Sequence, residues 1–178
     1  MSTAAASPWR ARALGLVLAL VVFLLDQGIK GWLLGPLRLR EVGVIDLLPI
    51  FDLRWTANLG VSLGLFTADS TEGRIALILM TGVIALFVLI WMLREKLLAD
   101  IAALALVLGG ALGNITDRVR FGHVTDYADL HFGNFRPFLI FNFADAAITV
   151  GVLIILARSL LSRDKPETTA DTSSKELT

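Results

Sequence analysis

Two aspartates in polar motifs are the residues of this chain whose type and position are best suited to chemistry. Asp126 lies in the run Val-Thr-Asp-Tyr, and Asp145 ends the run Phe-Asn-Phe-Ala-Asp, both within a largely apolar chain. Two carboxylates held a few ångströms apart cannot both ionise readily, so they titrate as a pair that shares a proton. One can then take a proton from water while the other gives a proton to a carbonyl oxygen. The sequence therefore predicts general acid-base chemistry if folding brings Asp126 and Asp145 together.

The composition defines the setting of these carboxylates. Of the 178 residues, 56% are hydrophobic and 18% are charged, which is typical of a polytopic membrane protein. The net charge is zero and no long basic run is present, so no nucleic-acid partner is expected. The absence of cysteine excludes disulfides, thiolate nucleophiles and cysteine-ligated zinc.

Four apolar segments are long enough to cross a bilayer as helices, which requires about 20 residues each. They cover about 11–34, 75–93, 97–115 and 141–161. The first resembles a signal peptide, but Asp-Gln-Gly-Ile-Lys follows it instead of a small-residue cleavage site, so a retained anchor is expected. Basic residues are densest on the side of the N-terminal arginines, which predicts that both termini are cytoplasmic.

The two outward segments, about 35–74 and 116–140, are too apolar to be simple linkers and are expected to pack on the membrane surface. Within the first, apolar and polar residues alternate over 51–56, which predicts a half-buried strand. Its expected partner is the stretch 44–48. A small extracytoplasmic β-sheet should therefore form between helices 1 and 2.

The predicted fold is thus an all-α membrane protein with four transmembrane helices and this small sheet. We expect one integral-membrane domain over 1–163. The polar tail at 164–178 has too little apolar surface to fold alone and is expected to be disordered.

Polar residues gather at similar heights in the predicted helices. A rise of about 1.5 Å per residue places Asp26 and Asp145 each roughly 20 Å from the cytoplasmic boundary. Asn114 lies slightly higher, at about 27 Å. The outer ends of three helices are therefore expected to converge on one polar site, and Asp126 is expected to join this site from the loop between the third and fourth helices.

Spacings of three or four residues put several of these polar side chains on common helix faces. The sets are Asp26 with Lys30, Asn114 with Asp117 and Arg118, and Asn142 with Asp145. For the first set we favour a structural ion pair over a direct catalytic role, whereas the second set could equally be a frayed helix end that meets lipid headgroups. An ionisable residue inside a span, as in the third set, costs about 2.5 to 3.5 kcal/mol on insertion scales and favours a functional role.

A metal site and a serine nucleophile are the other hydrolytic chemistries considered. The candidate metal ligands are His123, Asp126, Asp129 and His131. Regular geometry does not bring all four to one point and no His-Glu-x-x-His motif occurs, so neither a metal nor another cofactor is expected. Ser62 lies in a glycine-rich stretch that lacks the Gly-x-Ser-x-Gly elbow. That stretch is expected to turn tightly, with Asn58 supplying hydrogen bonds.

Five motifs occur in an order and spacing that resemble those of one family. They are Asp26-Gln27 with Lys30, Asn58-x-Gly60, Gly109 to Asn114 followed by Asp117-Arg118, Val124-x-Asp126, and Phe141-Asn142-x-Ala144-Asp145. Together they resemble the motifs of bacterial lipoprotein signal peptidase, also called signal peptidase II. The resemblance covers about residues 15 to 160.

The resemblance implies an aspartyl endopeptidase of the bacterial inner membrane, with Asp126 and Asp145 as its catalytic pair near the extracytoplasmic face. Its implied substrate is the signal peptide of a prolipoprotein whose cysteine carries diacylglycerol, and membrane lipids are its surroundings. The implied site-lining or supporting residues are Asp26, Lys30, Asn58, Gly60, Asn114, Asp117, Arg118 and Asn142. Family members also have a small sheet that cradles the substrate.

A small ion or proton-coupled transporter is the alternative from another functional class, with Asp26, Lys30 and Asp145 as a charge relay. Such a transporter needs polar residues in both halves of the bilayer, whereas the inner halves of all four predicted spans are almost purely apolar. A purely structural subunit would leave the outer polar cluster without a purpose. A lipid-bearing substrate instead predicts lateral access through an apolar groove between helices.

Overall fold

Four long apolar helices and one antiparallel sheet make up the fold in the computed structural model, which describes residues 8–60 and 71–163. In chain order the elements are α1 (Pro8–Leu34), α2 (Leu39–Val42), β1 (Val44–Leu48), β2 (Phe51–Asn58), α3 (Thr71–Arg94), α4 (Leu98–Phe121), β3 (Val124–Leu130) and α5 (Phe143–Arg163). The tail at 164–178, predicted to be disordered, lies outside the described residues.

The four predicted transmembrane helices are confirmed. Helices α1, α3, α4 and α5 each contain a segment that is long and apolar enough to cross a membrane. Helix α4 differs most from its predicted bounds, since it continues to Phe121 instead of ending near residue 115. Asp117, in this additional part, is buried and paired with Lys30, so its charge does not end the helix.

Helix α4 lies at the centre of the bundle and packs against α1, α3 and α5. Its N-terminal half contributes Ile101, Leu104 and Leu108 to the apolar core. Its C-terminal half approaches its neighbours closely through glycines. A Cβ atom at Gly110 would lie 2.5 Å from the carbonyl oxygen of Ala144 in α5, so a larger residue would push the two helices apart.

The predicted sheet of β1 and β2 is present, and it gains a third strand from the segment between α4 and α5. The strand order is β1-β2-β3, and both pairings are antiparallel. Asp126 therefore lies in β3, whereas sequence reasoning expected it in a loop. The connection from α4 turns at Gly122, whose φ of 82° favours glycine.

Candidate active site

The first turn of α5 holds Asp145 in a reciprocal pair of hydrogen bonds with Asn142, the residue before the helix. The backbone N–H of Asp145 donates to Asn142 Oδ1 at 3.0 Å, and the backbone N–H of Asn142 donates to Asp145 Oδ2 at 3.1 Å. This arrangement is a capping box, which satisfies amide groups that a helix start leaves free. The Asp145 carboxylate therefore lies at the positive end of the helix dipole, where negative charge is stabilised.

Asp126 reaches the same site from β3. Pairing of β2 with β3 sets Thr56 opposite Asp126, which brings Asn58 to a diagonal position beside it. Asn58 Nδ2 donates to Asp126 Oδ2 at 2.9 Å, and Asn142 Nδ2 donates to Asp126 Oδ1 at 2.6 Å. Asp126 is only 2% exposed, so these amides replace water as its hydrogen-bond donors.

The side-chain amides of Asn142 and Asn114 connect the two aspartates. Asn142 Nδ2, which donates to Asp126, is also 3.2 Å from Asn114 Oδ1. Asn114 Nδ2 in turn donates to Asp145 Oδ1 at 2.8 Å. The structure thus joins the two carboxylates that the sequence singled out through one hydrogen-bond network, although they come from different elements.

A buried group of charges adjoins this network. Lys30 Nζ lies 2.9 Å from Asp26 Oδ2 and 2.8 Å from Asp117 Oδ2, and it donates to Asn114 Oδ1 at 3.3 Å. Because an ammonium group only donates, it holds the Asn114 oxygen toward Lys30 and leaves the Asn114 nitrogen for Asp145. Lys30 therefore controls the orientation of the amide that contacts Asp145.

The carboxylates of this charged group also bind the backbone of neighbouring elements. Asp26 Oδ1 accepts the N–H of Ala144 in α5 at 3.2 Å. Asp117 Oδ2 accepts the N–H of Thr125, next to Asp126, at 3.1 Å. Asp26 and Lys30 thus form a buried ion pair that joins elements of the site, and Asp117 lies within a continuous helix rather than at a frayed end.

Arg118 contributes positive charge close to the aspartates. Its guanidinium lies within electrostatic range of Asp145, Asp126 and Asp117. Its Nε is buried and has no hydrogen-bond partner among the residues that the structure describes. A buried donor of this kind is suited to bind an oxygen atom of a ligand.

Gly60 fixes the orientation of Asn58. The N–H of Gly60 donates to Asn58 Oδ1 at 2.9 Å, which leaves the Asn58 nitrogen to face Asp126. The φ of Gly60 is 103°, a backbone conformation that side chains with a Cβ rarely adopt. The predicted hydrogen bonding by Asn58 is therefore present, whereas the rest of the glycine-rich stretch, including Ser62, lies outside the described residues.

Burial raises the pKa of Asp126 to about 6. Hydrogen bonds from Asn58 and Asn142 oppose this increase, and the nearby charge of Asp145 adds to it. Asp126 therefore keeps its proton to a higher pH than an ordinary aspartate, as a general acid requires.

Two residues that sequence reasoning left without a role complete the site. Gln27 Nε2 donates to Asp26 Oδ2 at 3.1 Å and to Asp117 Oδ1 at 3.0 Å. The hydroxyl of Tyr127 accepts the N–H of Phe143 at 3.1 Å and so caps the start of α5, and burial raises the pKa of this hydroxyl. The spacing of Gln27 three residues before Lys30 was a usable signal, but Tyr127 offered none.

The residues considered as metal ligands have separate partners. Asp129 accepts hydrogen bonds from two arginines. His131 Nε2 lies 3.0 Å from Asp52 Oδ2, and the ring of His123 packs edge-on against the ring of Trp55. Within 8–60 and 71–163, no group of three or more histidine, aspartate or glutamate side chains could hold a metal ion.

Comparison with known proteins gives a consistent family match. Residues 18–161 match the family described as signal peptidase (SPase) II. The chain is 53% identical over 151 residues to the lipoprotein signal peptidase of Sphingopyxis alaskensis, covering 85% of this chain and 87% of that protein. It is 51% identical over 153 residues to the lipoprotein signal peptidase of Rhizorhabdus wittichii, covering 86% and 89%.

A solved structure supports the same fold. A bacterial membrane enzyme determined by the in meso method at 1.9 Å resolution aligns with a TM-score of 0.71 and 25% identity. The alignment covers 86% of this chain and 95% of that chain.

Proposed function

The chain belongs to the signal peptidase II family, and from that premise we propose that it cleaves diacylglyceryl-modified prolipoproteins with Asp126 and Asp145 as general acid and base. Family membership makes it a protease of lipoprotein signal peptides and a multi-pass protein of the bacterial inner membrane. The catalytic residues, the lipid on the substrate and the orientation of the chain are our proposals.

One observation carries the catalytic proposal. Asn142 donates from its side chain to Asp126 at 2.6 Å and from its backbone to Asp145 at 3.1 Å. A single residue thereby couples the positions of two carboxylates that belong to different elements, β3 and α5. Such coupling supports joint action on one substrate bond.

Different surroundings favour different roles for the two carboxylates. Asp145 lies at a helix start and accepts hydrogen bonds from Asn114 and Asn142, which stabilise a negative charge. Asp126 is buried and has a pKa raised to about 6, which supports a protonated form. We therefore assign Asp145 as the base and Asp126 as the acid.

In this mechanism Asp145 removes a proton from water, and the water oxygen attacks the carbonyl carbon of the scissile peptide bond. Asp126 transfers its proton to the carbonyl oxygen, which gives a neutral tetrahedral diol. Cleavage of the carbon–nitrogen bond then releases the amine, with the proton on Asp145 passing to the nitrogen and a diol proton returning to Asp126. Both carboxyl groups return to their starting protonation states.

The neighbouring residues support this chemistry. The free Nε of Arg118 is suited to bind a backbone oxygen of the substrate. Asn58, oriented by Gly60, holds Asp126, and Asn114, oriented by Lys30, holds Asp145. We propose that these residues position the substrate and the two carboxyl groups.

Lateral entry of a lipid-bearing substrate is supported by an apolar groove between α1, α3 and α4. The groove has a volume of about 470 Å³. Its lining includes Leu16, Leu20, Phe23, Leu86, Leu108 and Leu112. A groove of this composition suits hydrocarbon, such as an acyl chain or the apolar part of a signal peptide.

The proposed orientation has cytoplasmic termini and an extracytoplasmic site. The ion pair between Asp100 and Arg158 marks the bundle end opposite the catalytic cluster. Between these ends α4 buries Ile101, Leu104 and Leu108 in an apolar core. Because a coupled transporter needs a polar route through the bilayer, this core supports proteolysis over transport.

Cleavage of a diacylglyceryl-modified prolipoprotein tests the proposal directly. Purified protein in detergent with a chelator should cleave the modified substrate and leave the unmodified one largely uncut. The Asp126→Asn variant should lose about 10²- to 10⁴-fold in rate, the typical contribution of a general acid or base. Full activity of Asp126→Asn would exclude the proposed acid, and equal cleavage of both substrates would remove the lipid requirement.

A further inference from the structure

Large apolar side chains are exposed at the end of the sheet that lies farthest from Asn58. Two turns form this end, one joining β1 to β2 and one following β3, and His131 N–H donates to Ile50 O at 3.0 Å between them. We call their exposed side chains the tip patch: Leu48, Ile50, Phe132, Phe135, Phe138 and Leu139. These six residues are between 44% and 92% exposed.

We propose that the tip patch inserts into the outer lipid leaflet and anchors the sheet to the bilayer beside the helix bundle. An apolar group of this size is unusual on a surface that faces water. Phenylalanine and leucine are also the residue types with which interfacial segments enter the region between lipid headgroups and acyl chains. Because the chain belongs to a membrane-protein family, the lipid bilayer is the apolar phase that can cover the patch.

The covalent structure keeps the patch close to that bilayer. Leu139 is four residues before Phe143, where the last transmembrane helix begins. Four extended residues span at most about 14 Å, so Leu139 cannot lie far from the outer end of α5. The patch is therefore adjacent to the lipid-facing surface of the bundle.

Ionic contacts hold the turn after β3 against the sheet. Asp129 is fully buried and accepts hydrogen bonds from Arg136 Nε at 3.1 Å and from Arg54 Nε at 2.9 Å. Phe132 and Phe135 also exchange two backbone hydrogen bonds, at 2.8 and 3.1 Å. The exposed side chains thus project from a braced turn, and the partly exposed Arg136 can extend toward lipid phosphates.

Contact of the tip patch with lipid would affect the candidate active site, because strand β3, which leads into the patch, also carries Asp126. Asp126 and Leu130 are both in β3, and the chain enters the turn directly after Leu130. Anchoring the far end of β3 in lipid fixes the height of Asp126 relative to the bilayer. A substrate whose cleavage site lies at a set depth would then meet the carboxylate at that depth.

Single spin labels test the proposal cleanly, because the chain contains no cysteine. Labels would be introduced as Leu139→Cys, Phe135→Cys and Leu48→Cys in full-length protein, in nanodiscs of phosphatidylethanolamine and phosphatidylglycerol. Glu41→Cys, on an exposed charged position of α2, is the water control, and Leu153→Cys, on the exposed face of α5, is the lipid control. Collision rates with dissolved oxygen and with a water-soluble nickel chelate then report depth.

We expect the three patch labels to resemble the label at Leu153→Cys, with a collision rate with oxygen several-fold higher than that with the nickel chelate. The label at Glu41→Cys should show the reverse order of the two rates. Patch labels that resemble Glu41→Cys would overturn the proposal, because the patch would then face water. Protection of the patch labels from both reagents would also overturn it, in favour of a contact with a second copy or another protein. Because all labelled positions are exposed, the substitutions do not disturb the core.

Discussion

Substitution of Lys30 by methionine tests how the charged group supports the site. Lys30 carries the positive charge between Asp26 and Asp117, and its side chain is only 4% exposed. Methionine preserves much of the volume but leaves two buried carboxylates facing each other. Removing one partner of a buried ion pair typically costs about 3 to 5 kcal/mol. For a chain of this length that cost corresponds to a fall in Tm of about 6 to 20 °C.

A matched comparison comes from Asp117→Asn. This variant leaves Lys30 paired with Asp26, so no charge is left without a counterion. It loses one of the two acceptor oxygens that face Gln27, Thr125 and Lys30, which costs a hydrogen bond but not a buried charge. Its Tm should therefore fall much less than that of Lys30→Met. Arg158→Met, which breaks a more exposed ion pair with Asp100, should also cause only a small change.

The assay is thermal unfolding of purified variants in one detergent at one scan rate, followed by tryptophan fluorescence. Activity should fall further in Lys30→Met than its folded fraction explains, because Asn114 loses the ammonium that orients its amide. A Tm for Lys30→Met close to that of Arg158→Met would refute the reasoning. So would an Asp117→Asn variant that is as unstable as Lys30→Met.

Three further predictions follow from local contacts. We expect kcat/KM to fall as the pH rises through about 6, because Asp126 then loses the proton that the proposed mechanism requires. Asn58→Ala should move this fall to higher pH, because the hydrogen bond from the Asn58 amide lowers the pKa of Asp126. A pH–rate profile of Asn58→Ala without this shift would contradict the proposed assignment. Gly110→Ala should lower the free energy of unfolding by about 1 to 3 kcal/mol, because its Cβ would overpack against α5. Gly82→Ala should not, because a Cβ there meets no atom of the described residues within 4 Å, and a comparison of the two Tm values tests this difference. Gly60→Ala should reduce kcat and lower Tm, because a φ of 103° is strained for alanine and the hydrogen bond that orients Asn58 is lost. Unchanged kinetics of Gly60→Ala would argue against this orienting role of Gly60.

The helices and several of the site contacts were predictable because they depend on local periodicity. Runs of about 20 apolar residues identify membrane helices whatever their neighbours are. Spacing within a helix likewise placed Asp26 with Lys30 and Asn142 with Asp145, and each pair is in direct contact in the structure. These predictions needed no knowledge of tertiary packing.

The parts that were not predictable depend on contacts between distant segments. Strand β3 is buried on both faces, so its sequence lacks the alternation that identified β2. Helix α4 passes its predicted end because Lys30, from another helix, pairs with Asp117. The role of Tyr127 was likewise not predictable. Its hydroxyl accepts the N–H of Phe143 in α5, and sequence spacing does not reveal this contact.

The most direct test of the two-aspartate mechanism compares Asp145→Asn with Asp100→Asn. Asparagine at position 145 keeps the size of the side chain and one oxygen for the capping box, but it cannot act as a base. Asp100 lies at the opposite end of the bundle and serves as the control carboxylate. Cleavage of a diacylglyceryl-modified prolipoprotein should be lost in folded Asp145→Asn and retained in Asp100→Asn. Wild-type cleavage by Asp145→Asn would contradict the mechanism.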